Sequence, residues 1–291
     1  MIRIMNQGGL GNQLFVWNAA HSIAKTYGEK VAVCFVNDGK KRQTGSVAAV
    51  KELTSYCSHG IVVIDGTHLN YVFKVLDKIG SKHSKLKGVI ARILGIQDVS
   101  DPEAMPMRIR SKPRIIRGFF QDSDDVWTNR RTILDELNPL LDNFWQKCLK
   151  KKFDYKEFEY TALHFRRGDY RVNSKSLGLL SFDYYKKSLN QSDSLIVTSD
   201  SPDIQDSVNS HFPEATFYSP KEFNEWETLS ILSRSKMLLV ANSTFSWWAG
   251  LVAIDLGGTV IAPKPWFLVP QTSINYLNLP PFIYVTSEFE Q

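Results

Sequence analysis

The chain lacks the patterns that mark most secreted, membrane-spanning and metal-binding proteins. Among 291 residues there are three cysteines. Cys34, Cys57 and Cys148 are far apart, odd in number and outside any Cys-x-x-Cys pair. Neither a disulfide framework nor a zinc site is expected of them, and a reducing compartment is the simpler reading. No apolar run approaches the ~20 residues needed to span a bilayer. Met1 leads straight into a short apolar run, without the charged segment and apolar core of a signal peptide, so a cytosolic protein is expected. Neither Gly-x-Gly-x-x-Gly nor a Walker A loop is present, which removes the commonest phosphate-binding fingerprints. Internal repeats and low-complexity tracts are absent.

The composition is that of a folded chain, with 43% apolar and 22% charged residues. Its length suits one large domain or two of about 150 residues. The net charge of +5 fits anionic substrates or an anionic membrane surface and is too small to demand nucleic acid. A nucleic-acid reading of the basic 74–117 segment would need aromatics interleaved with lysines, and that segment offers few.

The chain opens as strand, glycine turn and helix. Ile2 to Met5 is the strand and Gly8-Gly9-Leu10-Gly11 the turn. Leu14, Trp17, Ala20, Ala24 and Tyr27 recur at helical spacing, with Gly28 as the stop. Val31 to Val36 reads as a buried parallel strand. Ile61 to Ile64 looks like a third strand, and Tyr71 to Ile79 and Leu86 to Leu94 look helical. Over those helices Lys74, Lys78, Lys82, Lys85, Lys87 and Arg92 face only Asp77. Such a basic helix can lie on anionic lipid headgroups; the alternative is a solvated lysine face. Arg114 to Phe120 reads as a strand, followed by a helix capped by Asp122 or Ser123. Asn138-Pro139 is expected to break that helix before a second one through Trp145 to Leu149. The polar stretch Lys150 to Glu159 is the expected boundary between domains 1–152 and 153–291. Beyond it, strands at Thr161–Phe165, Ser194–Thr198, Thr216–Tyr218, Met237–Val240 and Thr259–Ile261 alternate with helices. This α/β alternation argues for two doubly wound, Rossmann-like domains facing a cleft.

Polar clusters fall at the expected carboxyl ends of strands, where open α/β sheets bind ligands. In His164-Phe165-Arg166-Arg167-Gly168-Asp169-Tyr170, adjacent arginines offer planar, permanently charged forks to phosphate; the alternative is a surface arginine pair. Gly8 to Gln13 lets backbone approach a ligand at a helix N-terminus, with Asn12 and Gln13 able to meet hydroxyls; the alternative is a tight turn with an Asn cap. Asn242-Ser243-Thr244-Phe245-Ser246-Trp247-Trp248 opens a helix with hydroxyl donors; a plain serine cap with core tryptophans is the alternative. Asp200 can accept from a guanine edge or cap the helix near Pro202. Aspartate pairs such as Asp200 with Asp203 or Asp124 with Asp125 read as caps rather than metal ligands.

These blocks, together with Gly118-Phe119-Phe120-Gln121 and Ile261-Ala262-Pro263-Lys264-Pro265-Trp266-Phe267, resemble in order the signature blocks of bacterial α-1,2-fucosyltransferases, glycosyltransferase family 11. The resemblance implies a GT-B fold, a bacterial cytoplasmic enzyme of surface polysaccharide synthesis, and a GDP-β-L-fucose co-substrate. Inverting transfer to O2 of a terminal β-galactoside is implied, with no metal and no other cofactor. Peripheral contact with an anionic membrane is expected from the basic helices, and no nucleic-acid partner.

The resemblance to α-1,6- and protein O-fucosyltransferases implies that Arg166 holds the β-phosphate, His164 lies near guanine and Asp200 reads guanine. It further implies that Asn12 lies at the reaction centre. The donor site then comprises His164, Arg166, Arg167, Asp200, Asn242, Ser243, Thr244 and Phe245. The acceptor side comprises Gly11, Gln13, Gln121 and Asp122, and the catalytic set is Arg166, Asn12 and Asp169. Asp169 and Asp122 are the nearest candidates for a general base, although Asp169 can instead hold the arginine pair. The family's usual His-Gly pair after the arginine motif is missing, since the loop reads Asn173-Ser174-Lys175-Ser176-Leu177-Gly178-Leu179. A GDP-sugar-binding protein without catalysis, and a fucosyltransferase of different regiospecificity, are the alternatives.

Overall fold

The computed structural model describes residues 1–6, 8–35, 49–57, 60–81, 83–99, 113–151, 153–189, 194–269 and 277–290. Val36 and Lys82 lie outside them. The chain divides into two compact units, Met1–Glu136 and Leu137–Gln291.

The first unit is a five-stranded sheet. Its strands are β1 (Ile2–Met5), β2 (Val31–Phe35), β3 (Ile61–Asp65), β4 (Ile96–Val99) and β5 (Ile115–Gly118), in the order β3-β2-β1-β5-β4. All pairings are parallel. Helix α1 (Leu10–Tyr27) ends at Gly28, whose φ of 61° a Cβ would disfavour. Twelve of its residues are buried, including the polar Gln13, Asn18 and His21, so it is enclosed on nearly every side. A 3-10 helix, Ala49–Ser55, follows β2. Helices α2 (Thr67–Gly80) and α3 (Ser84–Leu94) precede β4. Leu69, Phe73 and Leu76 of α2 enter the core beside Met5, Ala32 and Ile96.

Helix α4 runs unbroken from Ser123 to Lys150 with Pro139 inside it, correcting the expected break. A proline interior to a helix removes one hydrogen bond and costs about 3 kcal/mol. Leu137, Leu140, Leu141, Phe144 and Trp145 are all buried around it. At about 1.5–3 kcal/mol for each large apolar side chain, that burial outweighs the proline. The division between units falls inside α4, whereas the polar 150–159 stretch begins where the helix ends. Asp122 is the N-cap: its Oδ1 accepts from the N–H groups of Asp124 and Asp125, both at 3.0 Å.

The second unit is a six-stranded parallel sheet in the order β11-β10-β9-β6-β7-β8. Its strands are β6 (Tyr160–Phe165), β7 (Ser194–Ser199), β8 (Thr216–Tyr218), β9 (Met237–Leu239), β10 (Thr259–Lys264) and β11 (Ile283–Thr286). Its helices are α5 (Ser174–Leu177), α6 (Phe182–Lys186), α7 (Gln205–His211), α8 (Glu225–Ser233) and α9 (Thr244–Asp255). Every residue of β6 is buried, as for a central strand covered on both faces. Strands β4 and β11 escaped the sequence reading. Each has four residues, and Gln97 and Asp98 break the apolar run of β4. Two parallel sheets flanked by helices constitute the GT-B architecture of paired Rossmann-like units.

Candidate functional site

In the second unit, register alone gathers three of the sequence motifs. Phe165 pairs with Ser199, and Leu163 with Leu239. Continuing those rows past the strand ends sets Arg166 beside both Asp200 and Asn242. The sheet also reverses direction here: from β6 the chain proceeds outward through β7 and β8, then returns to β9 on the other side. The loops after β6 and β9 therefore flank a topological switch point, where doubly wound sheets open a crevice.

Arg166 is gripped by two carboxylates. Its Nη1 lies 3.0 Å from Asp200 Oδ2, and its Nη2 donates to Asp169 Oδ1 at 2.7 Å. Its Nε is buried without a hydrogen-bond partner. Asp200 Oδ1 accepts from the backbone N–H groups of Arg167 (2.8 Å) and Gly168 (3.2 Å). Asp200 thus shapes the arginine loop, and the cap before the Pro202–Ile204 turn is Ser201. Asp203 pairs with Arg171 at 2.6 Å. Gly168 is required by close approach, because a Cβ there would lie 2.5 Å from Asp200 Oδ2. The two arginines differ in environment. Arg167 is 3% exposed, stands over the rings of Phe165 and Phe182, and meets Glu290 at 2.7 Å.

The neighbouring loop is fastened to this one. The Tyr170 hydroxyl donates to the Asn242 carbonyl at 2.7 Å. Asn242 Nδ2 donates to the carbonyls of Leu177 and Gly178. Ser243 caps α9, accepting from the Phe245 N–H, and Thr244 is the first helical residue. His164 is buried at the end of β6, with its ring 5.3 Å from that of Phe245. Burial holds its pKa well below the ordinary imidazole value; Asp200 opposes that shift and Arg166 adds to it. The imidazole is therefore neutral at pH 7. Trp247 and Trp248 are core residues, and the Trp247 indole donates to the Leu277 carbonyl at 2.8 Å. Tyr170 and Glu290 were not singled out from sequence. Their roles rest on contacts across 72 residues in one case and with the chain's far end in the other, which no local pattern marks.

The first unit has a matching edge. There the switch point lies between β1 and β5; the first turn of α1 carries Asn12 and the loop after β5 carries Gln121. Gln121 Nε2 donates to Asn12 Oδ1 at 2.9 Å. Gln13, fully buried, donates to the Gly8 carbonyl at 3.1 Å. Gly11 is buried in the first turn of α1, and the N-cap there is Gly9, without a side-chain bond. Gly8 has φ of +78°, and a Cβ on it would come within 2.4 Å of Asn12 Nδ2. Phe120, just before Gln121, adopts φ of 53° while buried, a conformation costing about 1–2 kcal/mol outside glycine.

Among the described residues, one group has metal-ligating composition. Ligand atoms of His21, Cys57 and Glu136 lie within 4.8 Å of one another. Glu136 Oε2 accepts from the Trp17 indole at 2.8 Å and sits 3.1 Å from His21 Nε2. Burial disfavours its ionised form, but the His21 and Trp17 hydrogen bonds more than offset this and its pKa lies below the usual value. Asp125 instead accepts from Asn18 and Ser22. No helix among the described residues is long and apolar enough to cross a membrane.

Comparison with known proteins places this geometry in a family. Over 164 residues the chain is 30% identical to the O-antigen biosynthesis glycosyltransferase WbnK of Escherichia coli, a match spanning 51% of this chain and 54% of that one. It is 27% identical over 288 residues to an alpha-1,2-colitosyltransferase of Escherichia coli, covering 89% and 90% of the two chains. Among solved structures, the fucosyltransferase NodZ from Bradyrhizobium aligns with a TM-score of 0.49 and 14% identity, over 86% of this chain and 92% of that one. The model of glycosyl transferase family 11 matches residues 97–279, which include the arginine loop and the capped start of α9, and the chain belongs to that family.

Proposed function

We propose that the protein transfers L-fucose from GDP-β-L-fucose to O2 of a terminal β-galactose, with inversion and without a metal, on a bacterial surface glycan. Residues 153–291 take the donor and residues 1–152 the acceptor. The observation that carries this reading is the placement of Arg166 at the switch point, with a neutral His164 and the Ser243-capped N-terminus of α9 alongside. A planar guanidinium and a helix N-terminus together suit a diphosphate.

Arg166 holds two carboxylates of unequal standing. Asp200 has three partners and is one-sixth exposed, while Asp169 is 45% exposed. Exposed pairs contribute only about 0–1 kcal/mol. The β-phosphate therefore displaces Asp169 from Nη2, and Asp200 keeps Nη1 and the loop in place. The acceptor O2 attacks fucose C1 as the bond from C1 to the β-phosphate oxygen breaks. GDP leaves with the electron pair, and its growing charge is met by Arg166 and the Ser243 and Thr244 donors. The released Asp169 carboxylate receives the hydroxyl proton, because Asp122 is committed as a helix cap. In the first unit, the neutral, hydrogen-bonded pair Asn12 and Gln121 offers contacts to acceptor hydroxyls. The guanine-reading role for Asp200 would have to use the acceptor capacity left by its three partners.

A second reading has its own support. The relative that matches nearly the whole chain is named for colitosyl transfer with the same alpha-1,2 linkage, so a colitosyl donor is the alternative substrate. The test is to incubate purified protein with GDP-fucose and a panel of β-galactosides in excess EDTA, reading products by mass and linkage by NMR. An α-1,2-fucosylated product is expected. Activity lost to EDTA and restored by Mn²⁺ would refute the metal-free reaction. No transfer of fucose alongside transfer of colitose would select the second donor.

A further inference from the structure

Helices α2 and α3 pack consecutively against one core cluster, with Leu69, Phe73 and Leu76 buried and Val72, Ile90 and Ala91 partly so. Their opposite sides therefore look outward together. A helix in contact with water carries polar residues on that side, and here that side also carries a stripe of apolar ones. Leu86, Val89 and Ile93 are 49%, 54% and 76% exposed, three and four residues apart on one helical stripe. Tyr71 and Val75 of α2 are 70% and 40% exposed, four apart. No residue of α3 is buried. Scattered exposed apolar residues are ordinary, but a contiguous stripe marks a contact surface.

The rim of the stripe has one sign of charge. Lys74 and Lys78 on α2, and Lys85 and Arg92 on α3, are all exposed. The single acid of the two helices is Asp77, and it is already neutralised. Arg117 grips Asp77 at 2.8 Å and reaches Asp98, while Lys87 lies 3.0 Å from Asp77. The Arg117 hydrogen bond holds the Asp77 pKa down at about 2. Arg117 and Lys87 thus hold the hairpin together, which narrows the expected basic set to the cations on the outer face.

We propose that this outer face docks on an anionic lipid bilayer, with Leu86, Val89, Ile93 and Tyr71 entering the boundary between headgroups and acyl chains. Lys74, Lys78, Lys85 and Arg92 then meet lipid phosphates. An apolar stripe beside a basic flank is the arrangement of an interfacial helix. A second copy of the chain is a poorer occupant, because it would bring two basic rims together. The proposal is independent of which sugar is transferred.

The full chain is mixed with vesicles of phosphatidylcholine alone, or of phosphatidylcholine with phosphatidylglycerol, and sedimented. Pelleting is expected with the anionic vesicles, and to weaken as salt rises. Ile93→Asp should remove it. The triple variant Lys74→Gln, Lys78→Gln, Lys85→Gln should weaken it about 10²-fold, at roughly fivefold per charge. All four positions are exposed, so circular dichroism should match wild type. Equal pelleting with neutral and anionic vesicles, or unchanged binding by Ile93→Asp, would overturn the proposal. So would concentration-dependent dimers, seen by light scattering without lipid and abolished by Ile93→Asp, since the stripe would then belong to a second copy.

Discussion

Replacing Arg166 by lysine keeps a positive charge and removes a geometry. The guanidinium spans Asp200 Oδ2 at 3.0 Å and Asp169 Oδ1 at 2.7 Å through two different nitrogens. A single ammonium cannot stay on Asp200 and also present a second aligned donor to the phosphate. One charge-assisted hydrogen bond, about 1.5–3 kcal/mol, is lost in the bound state. Because charge accumulates on the phosphate as the sugar departs, the loss in the transition state should reach roughly 3–4 kcal/mol, the scale of an oxyanion-stabilising donor. That corresponds to a fall of about 10² to 10³, seen largely in kcat. Arg167→Lys should be milder for the phosphate, since Arg167 stands over Phe165 and Phe182 and pairs with Glu290. Both variants are to be compared by circular dichroism, GDP calorimetry and initial rates. A folded Arg166→Lys protein retaining more than about a tenth of wild-type kcat would refute the reasoning, because that loss is only ~1.4 kcal/mol.

Gly168→Ala should leave the fold intact and lower kcat/KM at least about tenfold, because its Cβ would strike Asp200 2.5 Å away; undiminished rates would show that the Arg166–Asp200 contact is dispensable. Asp169→Asn should act in opposite directions, tightening GDP binding by up to about fivefold as an exposed competitor is weakened while lowering kcat; looser GDP binding would contradict the exchange of partners on Arg166. Asp200→Ala should loosen GDP binding, and a falling preference for GDP over ADP would add guanine reading to its positioning role, whereas an unchanged ratio would leave positioning alone. The buried His164 has a folded-state pKa below its unfolded value of about 6.5. The unfolded state therefore takes up a proton first as pH falls, and this contribution to stability is complete above about pH 6.5 and declines below it. Thermal midpoints across that range should fall less steeply in His164→Gln, and parallel curves would remove the assignment.

Much of the second unit's switch-point edge was legible because it depends on local grammar. An apolar run followed by His-Phe-Arg-Arg-Gly places the arginines at a strand end, and Asn-Ser-Thr before an apolar run reads as a cap. Arg166, Asp200 and Asn242 come from separate strands, yet regular parallel pairing aligns their rows. What sequence could not resolve was competition among partners. Asp200 was open to reading guanine or capping a helix, and local pattern gave no sign that it secures two backbone N–H groups and Arg166. Pro139 carried a strong local signal for a break, but buried leucines on both sides outweighed it. The short strands β4 and β11 are defined by neighbours in the sheet rather than by their own residues. The basic helices were visible as charge alone; their apolar stripe requires knowing which side faces the core.

The uninterrupted α4 bears on how such enzymes can be recombined. Its first half is fastened to α1, through Asp125 with Asn18 and Ser22 and through Glu136 with Trp17. Its second half is fastened to α8 and its end, where Ser230 donates to the Leu141 carbonyl and Arg234 grips Asp142. No loop separates the two compact units at their division, so there is no neutral junction for exchanging one half with that of a relative. A cut between Glu136 and Leu137 leaves three carbonyls and three N–H groups without helical partners, Pro139 having no N–H to lose. A cut after Lys150 takes Leu141 and Asp142 away from the α8 region that they contact. Crossovers between divergent family members should therefore yield few folded chains, and new acceptor preferences would arise more readily by substitution within the loops of one unit than by shuffling whole units.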